Sequence, residues 1–414
     1  MPQSWGVGPR ATRAAPRLLG GPHPPARLPP ASGLRDIRPP VSRARLLSLL
    51  VALVALVVAG WQRARAVERL GQDFDEATYL PIAFTYAGMM EQGQWGAVGE
   101  LRENFEHPPL VKLLYAEAVR VAGAPEPDWS HVPMGRPIPG PARPAFHVTR
   151  GLSAVAGVLQ VGLVAFVDPL GALLLAWDPY HTKYTSQAYL EAVPGLFAVL
   201  ALLAFERARR AGFAPGWTAV SGALLGLAAA GKYPYGLVGG LTFLPFLVAG
   251  ARTRWRPWAA IVVSTAAVFL AVNPALWSSP FASLWESVTF HWGYSHGEHV
   301  RRSALPWYQP LAFLTDTWLS ASDPGIYLTH FNARALLPLA VLGWPRTWRE
   351  RPVWAVAAVV GLVFLLLWNT KWPQYLLLVL PALCVCAGGG VRTVASGAAR
   401  LLRKLQGSRV SAGA

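Results

Sequence analysis

The sequence predicts an all-α polytopic membrane protein with about ten transmembrane helices and a large outer loop after the first helix. Of the 414 residues, 53% are hydrophobic and 14% are charged, whereas about a quarter of the residues in soluble domains are charged. Long apolar runs recur along the chain, arginines cluster between them, and the 18 tryptophans suit rings at headgroup level. These observations favour one helical bundle in a membrane over several soluble domains.

The net charge of +16 would also suit a nucleic-acid-binding protein. Here, however, the arginines lie in short segments between apolar runs, which is typical of cytoplasmic loops. We therefore expect no nucleic acid partner. The two cysteines, Cys384 and Cys386, fall inside the last apolar run. Their spacing matches neither a disulfide framework nor a zinc site, so we interpret them as small buried side chains.

The N-terminal region is rich in Pro, Arg and Gly and is expected to be disordered. The first apolar run, residues 46–61, lies too far along the chain for a cleaved signal peptide and predicts the first helix. Arg43 and Arg45 precede it and place the N-terminus in the cytoplasm. The chain is thus divided into a disordered cytoplasmic tail, a transmembrane domain and a C-terminal cytoplasmic tail, over residues 1–45, 46–391 and 392–414.

The run at residues 150–177 is interrupted by Asp168-Pro169 and predicts either one long helix or two short ones. With two helices, the later Arg-rich loops and the C-terminal arginines lie in the cytoplasm; with one helix, those loops lie outside. The positive-inside rule favours two helices. The remaining spans are predicted at residues 46–61, 190–205, 217–231, 236–250, 258–272, 335–344, 353–368 and 375–391.

This topology leaves most unusual polar residues on one side of the membrane. The outer segments are residues 62–149, 178–190, 273–334 and 369–374. In the first, Asp75 and Glu76 precede an amphipathic stretch at residues 79–90. A carboxylate held among apolar side chains near the membrane surface has a raised pKa and can serve as a general base. The alternative is a pair of solvated loop charges.

A second motif, Glu-Asn-Phe-Glu-His-Pro-Pro-Leu-Val-Lys, spans residues 103–112. The Pro pair can start a helix, and His107 and Lys112 beside exposed backbone N–H groups would suit an anion such as phosphate. A simple helix cap is the competing interpretation.

Other candidates stand where apolar runs meet the outer segments, and they comprise His181, Glu191, Lys232 and Lys371. An acid at the edge of a membrane span needs a partner. Outward-facing lysines oppose the charge bias, which indicates an anionic ligand, although both residue types also occur as interfacial side chains without a ligand.

The stretch at residues 291–302 contains His291, His296, Glu298 and His299. These residue types can bind metal, but the spacing is not H-E-x-x-H, so a loop that binds substrate or lipid headgroups is favoured. The sequence requires no cofactor, and a divalent metal stays open.

These motifs together resemble glycosyltransferase family 39, the dolichyl-phosphate-mannose protein mannosyltransferases, to which the lipid A aminoarabinose transferases are related. Asp75-Glu76 and His107-Pro108-Pro109-Leu110 match the first two motifs of the family. Further matches occur in order at residues 179–191, 232–233, 305–308 and 371–381, so the resemblance spans residues 46–391 in outline.

The resemblance implies a GT-C transmembrane bundle that transfers a monosaccharide, mannose or a similar sugar, from a polyprenyl-phosphate carrier. The acceptor is a hydroxyl group of a protein, lipid or glycan at the outer face of a bacterial plasma membrane, and the anomeric carbon is inverted. Asp75 would be the base, with Glu76 orienting substrate or holding a metal. Residues that bind the donor phosphate or the substrate would be His107, Lys112, His181, Glu191, Lys232, Lys371 and Tyr375.

A lipid-linked donor agrees with the lack of any Gly-rich nucleotide motif in the sequence. Two alternatives stay open. A transporter of a lipid-linked sugar would need charged residues in mid-membrane and broken helices in matched halves, which the sequence does not favour. A lipid-linked glycan ligase or polymerase is harder to distinguish.

Overall fold

The computed structural model describes residues 43–251, 254–315 and 330–412, and it has 17 α-helices and no β-strand within these ranges. The predicted N-terminal tail, apart from its last residues, lies outside the described residues. In chain order the helices are α1 (Arg43–Arg69), α2 (Phe74–Glu91), α3 (Trp95–Glu100), α4 (Leu110–Ala122), α5 (Arg143–Val167), α6 (Pro169–Trp177), α7 (Pro179–Tyr184), α8 (Ala192–Arg210), α9 (Pro215–Gly231), α10 (Tyr233–Ala251), α11 (Trp255–Ala271), α12 (Pro280–Ser295), α13 (Glu298–Ser303), α14 (Gln309–Thr315), α15 (His330–Glu350), α16 (Pro352–Leu367) and α17 (Leu380–Ala412).

The apolar runs identified in the sequence all fall on helices, and the protein is an all-α integral membrane protein. Four helical segments are long and apolar enough to cross a membrane, and α11 and α16 are shorter apolar helices. The four segments are Arg43–Arg69, Gly140–Val167, Tyr233–Gly250 and Leu380–Gln406. The predicted C-terminal tail continues α17 as helix to Ala412.

The chain breaks between α5 and α6 at Asp168, as the two-helix interpretation predicted. Asp168 has an extended backbone, and its carboxylate accepts hydrogen bonds from the N–H groups of Leu170 and Gly171, both at 3.1 Å. Pro169 occupies the first helical position, where its missing N–H costs nothing. Arg392 of α17 pairs with the same carboxylate at 2.5 Å, which ties the break to the last helix.

Two helices extend further into the first outer segment than their apolar runs predicted. Helix α1 continues to Arg69, and α5 begins at Arg143. Polar residues are tolerated in these extensions because they have partners. His147 of α5, for example, lies 3.4 Å from the Glu68 carboxylate of α1.

The core has two main parts. The larger lies among the long helices and contains Phe205, Phe243, Trp354 and both cysteines among its buried side chains. The second is built mainly from α2, α4 and the start of α5, around Tyr79, Tyr86, Tyr115 and Phe146. This second cluster packs the first outer segment into a compact cap and fixes the direction of α2, which carries Asp75.

Candidate active site

A cavity of about 220 Å³ lies between the cap and the ends of the long helices. Distant parts of the chain form its wall: the start of α2, the loop before α4, the α9–α10 turn, α12 and the segment before α17. The lining residues are Phe74, Asp75, Thr78, Tyr79, Asn104, Glu106, His107, Lys232, Phe290, His291, Tyr294, Ser295, Trp368, Thr370, Trp372, Gln374 and Tyr375. Of the sequence-predicted site residues, Asp75, His107, Lys232 and Tyr375 are in this set.

The start of α2 is fixed by a capping box. Asp73 is the N-cap residue, and its carboxylate accepts from the backbone N–H of Phe74 at 2.7 Å. The backbone N–H of Asp73 donates in return to Glu76 Oε2 at 3.1 Å. Such reciprocal bonds satisfy N–H groups that a helix start leaves free. Asp75 therefore stands in a defined first turn and points into the cavity.

Glu76, predicted as a second catalytic acid, faces away from the cavity. Arg150 of α5 donates to both of its carboxylate oxygens, at 2.8 and 2.7 Å, and both side chains are fully buried. The backbone N–H of Ala188 donates to the same carboxylate at 2.8 Å. Arg150 also donates to the carbonyl oxygens of Leu70 and Gly71 at 2.7 and 2.9 Å. Arg150 Nη1 also donates to the carbonyl oxygen of Val67 in α1 at 3.1 Å, so the Glu76–Arg150 pair joins α1, α2, α5 and residue 188.

The Asp75 carboxylate makes fewer and longer hydrogen bonds to the protein than the Glu76 carboxylate does. Tyr79 Oη donates to Asp75 Oδ2 at 3.4 Å, and Gln374 Nε2 lies 3.5 Å from the same oxygen. Both distances are at the long limit for a hydrogen bond. The carboxylate therefore keeps most of its accepting capacity for a group inside the cavity.

The surroundings of Asp75 also tune its basicity. Burial disfavours its charged form and raises the pKa of the Asp75 carboxyl to about 7. Lys232 lowers this pKa, while the carboxylates of Glu191 and Asp73 raise it. A base with a pKa near neutrality is ionised often enough to act and basic enough to take a proton.

Lys232 supplies the positive charge of the cavity. It ends α9 in an extended conformation, and its ammonium forms a buried ion pair with Glu191 and lies 4.9 Å from the centre of the Tyr375 ring. Burial lowers the pKa of Lys232, but Glu191, Tyr375 and Asp75 outweigh it and leave the pKa raised. The amine is therefore protonated. Glu191 stands behind Lys232, outside the cavity wall, and its Oε2 has no hydrogen-bond partner among the described residues.

His107 and His291 are neighbours in the cavity wall, with ring centres 5.1 Å apart. His291 Nε2 lies 3.0 Å from the Glu106 carbonyl oxygen, whereas His107 Nδ1 has no hydrogen-bond partner among the described residues. Burial, and then the nearby Lys232, His291 and Lys112, hold the pKa of His107 well below its usual value. His107 is thus a neutral imidazole in the cavity wall, and its Nδ1 is buried without a protein partner among the described residues.

Lys112 shapes the loop that carries His107 and does not line the cavity. Its ammonium donates to the backbone oxygens of Asn104 and His107 at 2.8 and 3.2 Å, and to Asn104 Oδ1 at 3.1 Å. Asn104 has a φ of +53°, a conformation that Asn tolerates better than most residues. Burial lowers the pKa of Lys112 to about 7, against the opposing effect of Glu106.

Lys371 caps the end of α16. Its ammonium donates to the carbonyl oxygens of Leu365 and Leu366 at 2.8 and 2.9 Å and also to that of Trp368. A lysine at this place satisfies carbonyl groups that the helix end leaves unpaired. The side chain is absent from the cavity wall, although its neighbours Thr370 and Trp372 form part of that wall.

His181 lies inside the bundle and also lacks contact with the cavity. Its Nδ1 is 2.5 Å from Arg63 Nη2, and its Nε2 is 3.2 Å from Gln160 Oε1. Arg63 Nε donates to Thr185 Oγ1 at 2.9 Å. The predicted substrate contact is therefore a buried polar link among α1, α5 and α7.

The sequence predicted that residues 291–302 bind substrate or lipid headgroups rather than a metal, and His291, Tyr294 and Ser295 of this stretch line the cavity. It did not single out Phe290 and Gln374, which also line the cavity. Within the described residues no group of three or more His, Cys, Asp or Glu side chains could hold a metal ion. The helical spacing of residues 290, 291, 294 and 295 could have indicated this shared face.

No protein-family model matches the sequence, and no curated protein matches it significantly. Among solved structures, ArnT from Cupriavidus metallidurans is similar in its apo state (TM-score 0.53) and bound to undecaprenyl phosphate (TM-score 0.58), each at 19% sequence identity. The alignments cover 85% and 84% of this chain and 60% of the ArnT chain. The chain thus spans about three fifths of ArnT's length, and the similarity shows that it has the GT-C fold.

Proposed function

We propose that this protein is a membrane glycosyltransferase that moves a monosaccharide from a polyprenyl-phosphate carrier to an acceptor hydroxyl. One observation carries the proposal: the cavity contains both Asp75, a carboxylate with few protein hydrogen bonds and a pKa of about 7, and Lys232, a protonated lysine. Such a pair suits a reaction in which one oxygen loses a proton while another gains negative charge.

The similarity to ArnT supports the type of donor. ArnT is a glycosyltransferase of the GT-C fold, and one of its structures holds undecaprenyl phosphate. A carrier of this type is confined to the bilayer, as is this chain. By the resemblance of its motifs to family 39, we assign the sugar as mannose or a similar monosaccharide. We place the reaction at the outer face of a bacterial plasma membrane.

The reaction is a single displacement in which Asp75 removes the proton from the acceptor hydroxyl. The acceptor oxygen then forms a bond to the anomeric carbon from the face opposite the phosphate. The bond between that carbon and the phosphate oxygen breaks, and its electron pair stays on the phosphate. The sugar is therefore inverted, and the carrier leaves as a polyprenyl phosphate.

Lys232 is assigned to the departing phosphate, because it is a protonated lysine in the same cavity wall as Asp75. Its pairing with Glu191 and the Tyr375 ring fixes its position before substrate binds. Fixed charges of this kind stabilise developing charge without reorganisation. The neutral His107 would bind a sugar or acceptor oxygen. Glu76, Lys112, His181 and Lys371 are assigned to holding the cavity in shape.

The size of the cavity favours a monosaccharide donor over a long glycan. At about 220 Å³ it is smaller than the ~300–1,000 Å³ typical of sites for drug-sized ligands. A ligase or polymerase must accommodate several sugar units beside the reacting bond. We assign the acceptor as a hydroxyl group of a protein, lipid or glycan. It would enter from the open side of the cavity.

The test is release of polyprenyl phosphate from polyprenyl-phosphate-mannose by the purified full-length protein, with a membrane extract as the acceptor pool. We expect release that the extract stimulates and that Asp75→Asn lowers by at least about 10²-fold. Polyprenyl-phosphate carriers of other monosaccharides identify the sugar in the same assay. Release from a long-glycan carrier alone, by protein shown to be folded, would transfer the assignment to a ligase.

A further inference from the structure

Helix α12 presents a stripe of large apolar side chains that no described part of the chain covers. Phe281, Trp285, Val288 and Trp292 are 87%, 69%, 50% and 71% exposed. They follow one another at intervals of four, three and four residues. At about 100° per residue, this spacing confines the four side chains to an arc of about 60°.

The opposite face of α12 is fixed against the cap. Ser287 Oγ donates to the Glu106 carbonyl oxygen at 2.7 Å, and His291 lies 3.0 Å from the same oxygen. The Phe290 ring packs edge-on against Phe105, with centres 5.6 Å apart. These contacts set the rotation of α12 about its axis, so the stripe cannot turn inward without breaking them.

A polar strip runs beside the apolar stripe. Glu286 and Thr289 lie on it and are exposed, and Glu286 forms an ion pair with Arg102 of the cap. Helix α12 therefore has three faces: one packed on protein, one polar and one strongly apolar. A solvent-facing helix would need only the first two, whereas this division is typical of helices that lie in a membrane interface.

Helix α12 follows an apolar helix of the bundle closely in the chain. Residues 272–279 alone separate it from α11, an apolar helix of the bundle. Within that connection, Trp277 folds back and its Nε1 donates to the Leu270 carbonyl oxygen in the last turn of α11, at 2.8 Å. Trp277 is itself 61% exposed. Tryptophan is enriched at the level where hydrocarbon meets headgroups.

We propose that α12 is an interfacial helix whose Phe281–Trp285–Val288–Trp292 stripe docks onto the lipid bilayer at the boundary between hydrocarbon and headgroups. The continuity with α11, two tryptophans in the stripe and the adjoining polar strip favour lipid over a protein partner. Because Phe290, His291 and Tyr294 of the same helix line the cavity, the bilayer surface supports one wall of the site. This inference concerns the surface and stands apart from the reaction proposed above.

The test measures which medium contacts each face of α12 in the full-length protein in lipid nanodiscs. Trp285→Cys and Phe281→Cys place a spin label on the stripe, and Thr289→Cys places the matched control on the polar strip. All three positions are exposed, so little packing is lost. Cys384 and Cys386 are buried, and the unmutated protein supplies the labelling background.

We expect molecular oxygen, which concentrates in hydrocarbon, to relax the labels at residues 281 and 285 more strongly than a water-soluble nickel chelate does. At residue 289 the order of the two relaxing agents should reverse. Dominant relaxation by nickel at all three positions would show that the stripe faces water and would overturn the proposal. Weak relaxation by both agents at residues 281 and 285 would show a covering protein segment and would equally contradict it.

Discussion

Asp75 and Glu76 are neighbours in the chain, of similar chemistry, and their surroundings differ completely. The Glu76 carboxylate accepts two hydrogen bonds from Arg150 and one each from the N–H groups of Ala188 and Asp73. Asp75 has two contacts near the limit of hydrogen bonding, at 3.4 and 3.5 Å. One acid is therefore committed to the protein, and the other is available to a substrate.

The difference arises because successive residues of a helix point about 100° apart. At the start of α2 this rotation directs one side chain into the buried junction of α1 and α5 and the other into the cavity. A buried carboxylate without a partner is costly, so the fold supplies Arg150 to Glu76. Asp75 instead has a raised pKa, which keeps it able to exchange a proton near neutral pH.

The largest effect that distinguishes the two acids is the loss of sugar transfer expected from Asp75→Asn. The amide cannot take the acceptor proton, and a positioned base contributes about 10²–10⁴-fold to a rate, so sugar transfer should fall at least that far. Stability should not fall. Between the ordinary carboxyl pKa of 3.8 and about 7, the folded state holds a proton that the unfolded state has released, so the stability lost on ionising Asp75 accumulates over this range and is complete above about 7. The variant should accordingly melt slightly higher than wild type at pH 8.

The next largest effect is a loss of folding stability, which we expect from Arg150→Met. This change leaves Glu76 as a buried carboxylate without its cation, and breaking such pairs costs about 3–5 kcal/mol. Thermal unfolding in detergent measures the loss. The double variant Arg150→Met with Glu76→Leu removes both charges and should recover much of it. Failure of the double variant to recover would mean that Arg150 stabilises the fold mainly through the carbonyl groups of residues 67, 70 and 71.

A second comparison is between Lys232, which lines the cavity, and Lys371, which does not. Removing one preorganised group that stabilises developing charge typically costs about 10²–10³-fold in turnover, so we expect that loss for Lys232→Met. Combining it with Glu191→Gln avoids leaving a buried carboxylate unpaired. Lys371→Met is the matched control and should lower the melting temperature while turnover per folded molecule stays near wild type. Equal losses of turnover in both lysine variants would contradict the assignment of Lys232 alone to the phosphate.

The smallest expected effect is the pH dependence of the wild type. Asp75 must be ionised to act as a base, so kcat/KM should rise with pH through about 7 and then level off. Below that value the decrease approaches tenfold for each pH unit, because one proton is involved. A profile flat from pH 5 to 8 would exclude a base with this pKa. The residual activity of Asp75→Asn provides the comparison and should lack the rise.

The fold was largely predictable because the bilayer imposes a strong constraint. Every membrane span must satisfy its backbone internally, so apolar runs read directly as helices, and arginine placement orients them. The break at Asp168 followed from the helix-starting chemistry of Asp-Pro, visible in the sequence. The extensions of α1 and α5 were not visible, because they depend on partners such as Glu68 for His147 that lie far away in the chain.

The site was predictable only in part. Asp75 and His107 were predicted from motifs in the first outer segment, Lys232 from its position at the end of an apolar run and Tyr375 from the family resemblance, and all four line the cavity. The sequence could not separate these from Lys112 and Lys371, because carbonyl groups at loops and helix ends hold an ammonium as well as a phosphate does. Residues 291–302 were predicted as a binding segment, but their place beside Asp75 was not, because the two segments lie about two hundred residues apart and meet only through tertiary packing.

The most direct test of the central claim is a crossed measurement of Asp75→Asn and Glu76→Gln in one preparation. For each variant, acceptor-dependent release of polyprenyl phosphate and the melting temperature in detergent at pH 8 are measured beside the wild type. We predict that Asp75→Asn loses activity and melts no lower than wild type, whereas Glu76→Gln melts lower and keeps activity per folded molecule. The reverse pattern, with transfer lost in Glu76→Gln and kept in Asp75→Asn, would contradict the account.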